Sequence, residues 1–339
     1  MGDLLFSSEE SDGVIDIPTF VKGVDQRVAK LQGSRPATMK RKLYVINDNL
    51  CVALGGREDE MFTFLRKLKA FFADPDFQIS ELTEFMNAPD EERSHLIAIV
   101  VACIPGAERH DFRAFFIGPM KRLDNERYQQ IIAAGTGVNQ FFEFVSSNPK
   151  FDTDINNDDA FLVLHQYLMS YWLGQEVVST ESLLNRWGGG FEMIYFENNR
   201  FMMLEEYTVV LLQGKIGKNV KLDPAPFNTI IFYYQQDVLM IRAFSMGIQK
   251  IFAVPAIDEE KEGITAIQRS YAHPTLLITY IVWNVDTNVE QLPTVVFPRN
   301  KNVLEGTPVL IEQSGDELLL TIDSRFNDYI ETVLTKMAD

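Results

Sequence analysis

The residues of this chain whose types and spacing could do chemistry gather at glycine-rich turns. "IIAAGTGVNQFFEF", residues 131–144, runs an apolar stretch into Gly135-Thr136-Gly137 and straight on into an amphipathic pattern. Such a turn can cradle a phosphate on helix-opening amides, present a hydroxyl nucleophile at a strand-to-helix elbow, or simply pack tightly. A dinucleotide fingerprint would need a third glycine where Gln140 stands, and a phosphate loop would need Gly-Lys-Ser or Gly-Lys-Thr, which is absent. The phosphate reading therefore finds little support. Two further glycine clusters, Gly55-Gly56 and "NRWGGG" from Asn185 to Gly190, mark other junctions.

The remaining chemistry-bearing residues point away from metals and cofactors. His95, His110, His165 and His273 form no H-x-x-x-H pair and no cluster with cysteine, so no zinc site is expected. His165 falls on the apolar face of its predicted helix and reads as a core histidine. Cys51 and Cys103 lie in apolar, strand-like runs, as free thiols that fill core space do. "DTDINNDDAF", Asp152 to Phe161, has a calcium loop's acidity without its central glycine or closing glutamate, and reads as a cap for the helix that follows. "DEEKE", Asp258 to Glu262, reads as a solvated loop. No cofactor and no metal are expected.

Bulk composition narrows the function classes. The chain has 339 residues, 46% of them hydrophobic, and a formal charge of −17. A nucleic-acid surface needs clustered Lys and Arg, and the only dense basic stretch is "MKRK", Met39 to Lys42. The longest apolar run, about Leu96 to Ile104, falls far short of the roughly 20 residues that cross a bilayer, and no charged-then-apolar leader opens the chain. A soluble cytoplasmic protein without nucleic-acid or membrane partners is expected.

The elements that would position these residues follow from periodicity. "KLYVINDNLCVALGG" reads as a hairpin turning at Asn47-Asp48-Asn49. From Glu58 to Phe72, Met61, Phe64, Leu65, Leu68, Phe71 and Phe72 mark one helical face, and "ISELTEFMNA" predicts a shorter helix. "HLIAIVVACI" is an unbroken apolar run, as for a strand covered on both faces, and "FRAFFIG" and "YQQIIAAG" add two more strands. A helix after Gly137 carries Val138, Phe141, Phe142 and Val145, and another from about Asp158 carries Phe161, Leu164, Leu168, Tyr171 and Trp172. "FEMIYFENNRFMML" predicts a hairpin at Asn198-Asn199.

This order of strands, helix pair, strands, helix pair, strands predicts an α+β fold: a four-layer α/β/β/α sandwich over residues 1–213. After about Thr208 the texture becomes strand-like almost throughout, with turns at Gln235-Gln236-Asp237 and Ser314-Gly315-Asp316 and one closing helix bearing Phe326, Tyr329, Ile330 and Val333. Residues 214–339 are expected to form a smaller β-rich domain with that C-terminal helix.

Taken together, "KLYVINDNLCVALGG" with its helix, "LIAIVVACI", "YQQIIAAGTG" with its helix and "NRWGGGFEMIYF" form a succession that resembles the proteasome β-subunit and its bacterial relatives, the N-terminal-nucleophile hydrolases. The resemblance runs from about Gly2 to Leu204. It implies a threonine-type peptidase in which the first residue supplies nucleophile and base, a lysine stands beside it, and a glycine amide stabilises the oxyanion. Carried onto this sequence, the oxyanion glycines are Gly55 and Gly56, and the glycine-flanked serine becomes Thr136. The lysine becomes Arg41, which holds charge but cannot shuttle a proton. The supporting aspartate becomes Asn185 and its serine becomes Gly188. At the head of the sheet, Gly2 after Met1 has no side chain to attack with.

The scaffold glycines are thus kept and the acid-base residues are not. A non-catalytic, proteasome-like protein that works by ring assembly or partner binding is the expectation. Two alternatives stand beside it: an active peptidase or amidase whose nucleophile lies upstream of Met1, and an unrelated α/β binding protein.

Overall fold

A computed structural model of the chain describes residues 4–7, 35–89, 93–106, 110–125, 129–135, 138–139, 142–143, 192–215, 221–222, 228–235, 237–245, 248–258, 277–284, 294–298, 309–314, 317–322, 328, 331–332 and 335. Strands β1 (Leu4–Ser7) and β2 (Arg35–Met39) form an antiparallel ribbon. Strands β3 (Leu43–Asn47) and β4 (Leu50–Gly55) form the hairpin that their pattern predicts. At its turn the Asn49 amide donates to Asn47 Oδ1 at 2.7 Å, the local bond that suits asparagine to tight turns. Strands β5 (Ile97–Ile104) and β6 (Asp111–Ile117) complete a four-stranded antiparallel sheet in the order β3-β4-β5-β6.

Two helices cover one face of that sheet. Helix α1 (Glu58–Phe71) turns Met61, Phe64, Leu65 and Leu68 inward and keeps Glu58, Asp59 and Glu60 in its first turn, where free amides favour negative charge. Helix α2 (Ile79–Asn87) opens with a capping box between Gln78 and Glu81. Their stripes meet Tyr44, Leu50, Val52, Leu54, Ala98 and Val100 in one core. Phe71, read as part of the buried face, is 69% exposed, because the stripe passes out over the helix end while Phe72 turns in.

Strands β7 (Lys121–Asn125) and β8 (Gln129–Ala133) form a second ribbon. Strands β9 (Ile194–Glu197) and β10 (Arg200–Met203) form a third, closed by Asn198 and Asn199 at φ of 51° and 61°, the left-handed pair that matches strand twist. This third ribbon lies on the other face of the four-stranded sheet. There Phe196 and Phe201 rest against Cys51, Cys103, Val45 and Val101.

The later strands build the larger sheet. Strands β11 (Glu206–Lys215), β12 (Lys221–Leu222), β13 (Asn228–Gln235), β14 (Val238–Ser245), β15 (Ile248–Val254), β16 (Leu277–Asn284) and β17 (Thr294–Pro298) run in the order β15-β14-β13-β11-β16-β17, with β12 beside β11. β11 is antiparallel to β13 and parallel to β16. Tyr207, Val209 and Leu211 face one core, and Thr208, Val210 and Leu212 on the opposite face are buried too, as an unbroken apolar strand requires. Strands β18 (Val309–Ser314) and β19 (Glu317–Ile322) make a separate ribbon.

The four-layer sandwich is therefore corrected. The two helices defined among the described residues both lie on one face of the four-stranded sheet, and the opposite face carries the β9–β10 ribbon rather than a second stacked sheet. Most described residues belong to strands, and these pair antiparallel except for β11 with β16. The apolar run at Ile97–Ile104 suggested a strand covered equally on both sides, but β5 largely alternates buried with half-buried residues, so only one side is fully sealed. Strand β11 runs through position 213 and, among the described residues, joins the largest sheet. Of the second predicted helix pair, residues 138–139 and 142–143 are helical, as are 328, 331–332 and 335 near the C-terminus; the helix from Asp158 lies outside the described residues. Among the described residues, no helix is long and apolar enough to cross a membrane.

Candidate functional site

Arg41 is the one charged side chain among the expected site positions, and the fold buries it. Its backbone sits between β2 and β3 and bridges Ala256, just past β15, with the Arg41 amide donating to the Pro255 carbonyl at 2.9 Å. This pulls the guanidinium inward, where Arg41 Nε donates to Glu192 Oε1 at 2.8 Å. The two side chains are 6% and 0% exposed. Nη1 donates to the Asp237 carbonyl at 2.6 Å and Nη2 to the Leu43 carbonyl at 3.3 Å. The guanidinium also lies over two rings, 4.8 Å from the centroid of Tyr234 and 5.2 Å from that of Tyr44.

Glu192 is equally committed. Tyr234 donates its hydroxyl to Oε1 at 2.8 Å, and the Lys42 amide donates to Oε2 at 3.2 Å. Tyr44 donates to the Arg41 carbonyl and accepts the Ile257 amide at 2.7 Å. Beside it, Lys40 is buried and donates to the Ala256 carbonyl at 3.3 Å. Burial pulls the Arg41 guanidinium down, but the charge and hydrogen bond of Glu192, with Tyr234 and Tyr44, together hold it above its ordinary value. Burial likewise pushes the Tyr44 hydroxyl up, against the pull of the Ile257 amide. A guanidinium that cannot release its proton, facing a carboxylate whose two oxygens hold three donors, has no capacity for acid-base transfer.

The other expected positions are elsewhere. Gly55 ends β4, and Gly56 makes the turn into α1 at φ +102°. A Cβ on Gly56 would stand 1.9 Å from the His95 carbonyl oxygen, so this glycine allows two backbones to touch. The backbone links the pair to Arg41 through the Leu54 amide, which donates to the Lys42 carbonyl at 2.7 Å, yet the guanidinium is spent on Glu192. Gly135 has φ +104° with nothing within 4 Å of where a Cβ would be, so its backbone conformation, not close packing, requires glycine. Thr136, Asn185 and Gly188 lie outside the described residues.

No protein-family model, curated protein or solved structure matches the chain. The site must be read from its own geometry.

Among the described residues no group of three or more His, Cys, Asp or Glu is placed to hold a metal ion. His95 gives its backbone amide to Glu60 at 2.8 Å, and His110 Nε2 lies 2.8 Å from Asn199 Oδ1 beside Phe196 and Phe112. Cys51 and Cys103 are free and buried, and burial pushes the Cys51 thiol up to about 12, which keeps it from acting as a thiolate. Sequence reasoning did not find Glu192, Tyr44 or Tyr234. The one usable signal was Glu192 itself, a lone carboxylate between Phe191 and Met193 in an otherwise apolar run.

Proposed function

We propose that this chain is a non-catalytic protein that acts by assembly or by binding a protein partner. The observation that carries the reading is the closed Arg41–Glu192 pair: the position where the proteasome-like resemblance would put a working cation holds a guanidinium fixed by a carboxylate, two carbonyls and two rings. A joint of this kind fastens distant segments and offers a substrate nothing. The resemblance enters this proposal as a likeness of sequence landmarks, without the four-layer sandwich.

The test is incubation of the purified full chain with fluorogenic peptide amides and with an electrophilic peptide probe, read by fluorescence and intact mass. No amide release and no adduct are expected. Turnover above buffer with a stoichiometric adduct on one hydroxyl or thiol would sink the proposal.

A further inference from the structure

The four-stranded sheet ends on β6, and among the described residues no strand lies along its outer edge. Which backbone groups face that edge follows from one bond: the Cys103 amide donates to the Asn49 carbonyl at 2.8 Å, toward β4. In an antiparallel ladder a residue's N–H and C=O point to the same side, so Cys103 points away from Phe112, its register partner in β6. Phe112 in turn directs its N–H and C=O to the open edge. So do Ala114 and Phe116, because the β5–β6 register runs from Ile104↔Asp111 to Ala98↔Ile117 without a bulge.

The same three residues share one side-chain face. Phe112 and Phe116 are 49% and 42% exposed, with exposed Ala114 between them. Asp111 and Arg113 occupy the other face and pair with each other, Arg113 Nε lying 3.1 Å from Asp111 Oδ2. The proline, lysine or bulge that usually blunts an edge is missing from β6.

The row Phe-Ala-Phe reads the same in both directions. We infer that β6 is a docking edge for the β6 of a second copy of this chain, the strands antiparallel about a two-fold axis through Ala114. That register sets Ala114 against its counterpart and Phe112 of each copy against Phe116 of the other, and it satisfies the outward N–H and C=O of all three residues. Arg113 of each copy then faces Phe115 of the other. The edge itself is neutral: β6 carries one Asp and one Arg, so it offers no complement to a charged peptide and lets two copies meet there although the whole chain, at −17, repels its like. One strand pair and two phenylalanine pairs bury less than the roughly 1,200–2,000 Å² of stable complexes, so the dimer is a weak one.

The inference rests on the proposed role in assembly, and its test separates the two. Residue-resolved amide hydrogen exchange is measured on the full chain at low and at several hundred micromolar, alongside sedimentation velocity. A shift from monomer to dimer is expected on concentrating, enhanced by salt that screens the repulsion between acidic chains. Exchange at Phe112, Ala114 and Phe116 is expected to slow roughly tenfold when about nine-tenths of the chain is dimeric, while Arg113 and Phe115, bonded to β5, stay slow throughout. Ala114→Lys, which sets two like charges on the axis, is expected to abolish both changes while Arg113 and Phe115 remain protected, so the sheet is intact. A chain that stays monomeric overturns the pairing and self-assembly together. An assembly whose three outward amides exchange alike at both concentrations overturns the pairing and leaves assembly through another face standing.

Discussion

Arg41 Nε lies 2.8 Å from Glu192 Oε1 across 151 residues of chain, with both side chains shut away from water. Desolvation of two charges is offset here by further bonds on each partner, so the loss of either one leaves an uncompensated buried charge. Arg41→Met is expected to destabilise the chain by about 3–5 kcal/mol, and Arg41→Met with Glu192→Leu to recover most of that loss. Urea unfolding of the wild type, each single variant and the double variant checks this. A double variant no better than the singles would mean that the joint, not the charge balance, holds the segments.

Gly56 and Gly135 both adopt left-handed backbone conformations, but only Gly56 meets another backbone. Gly135→Ala is expected to cost about 1–2 kcal/mol from conformation alone. Gly56→Ala is expected to cost more, because the His95 carbonyl must also move. Thermal unfolding of both variants side by side would show equal losses if the collision at Gly56 relaxes freely.

Burial raises the Cys51 thiol to about 12, above the ~8.5 of an unfolded thiol. The unfolded chain therefore releases this proton first as pH rises. The stabilisation is complete below about pH 8.5 and is lost between there and 12, at roughly 1.4 kcal/mol per pH unit. Tyr44, also raised by burial, adds a loss of the same sign from about pH 10. Urea midpoints at pH 7, 9 and 10.5 are expected to fall for the wild type and to fall less steeply for Cys51→Ala.

Glu60 accepts the His95 amide at 2.8 Å and the Ser94 hydroxyl at 3.4 Å, tying the start of α1 to the segment that leads into β5. Glu60→Ala is expected to cost about 1–3 kcal/mol by leaving the amide unsatisfied, and Glu60→Gln less, since one acceptor oxygen remains. Chemical denaturation orders the three proteins. Equal stability of Glu60→Ala and the wild type would sink the tie.

What was legible in the sequence was local. The stripe Met61, Phe64, Leu65, Leu68 placed α1, and the asparagines at 47–49 and 198–199 placed two hairpins, because periodicity and turn chemistry act within a few residues. Which layers stack was not legible. The apolar run at Ile97–Ile104 fits a strand sealed on one face or on both, and only its distant partners decide. Strand β7, "KRLDN", is charged enough to pass for a turn. Of the candidate site, Arg41 was found through its place beside "KLYVIN", but a partner 151 residues away leaves no periodic mark, so the closure of that position could not be foreseen.

The parallel pairing of β11 with β16 also sets the order of events during synthesis. The antiparallel strands β11, β13, β14 and β15 can join as soon as Val254 has left the ribosome, and Arg41 can then take its place against Pro255. The remaining side of β11 stays without a neighbour until Asn284 is made, a wait of a few seconds at roughly 5–20 residues per second. For that interval the nascent chain carries an apolar strand edge whose later partner has not been made, the kind of edge that invites pairing with another chain.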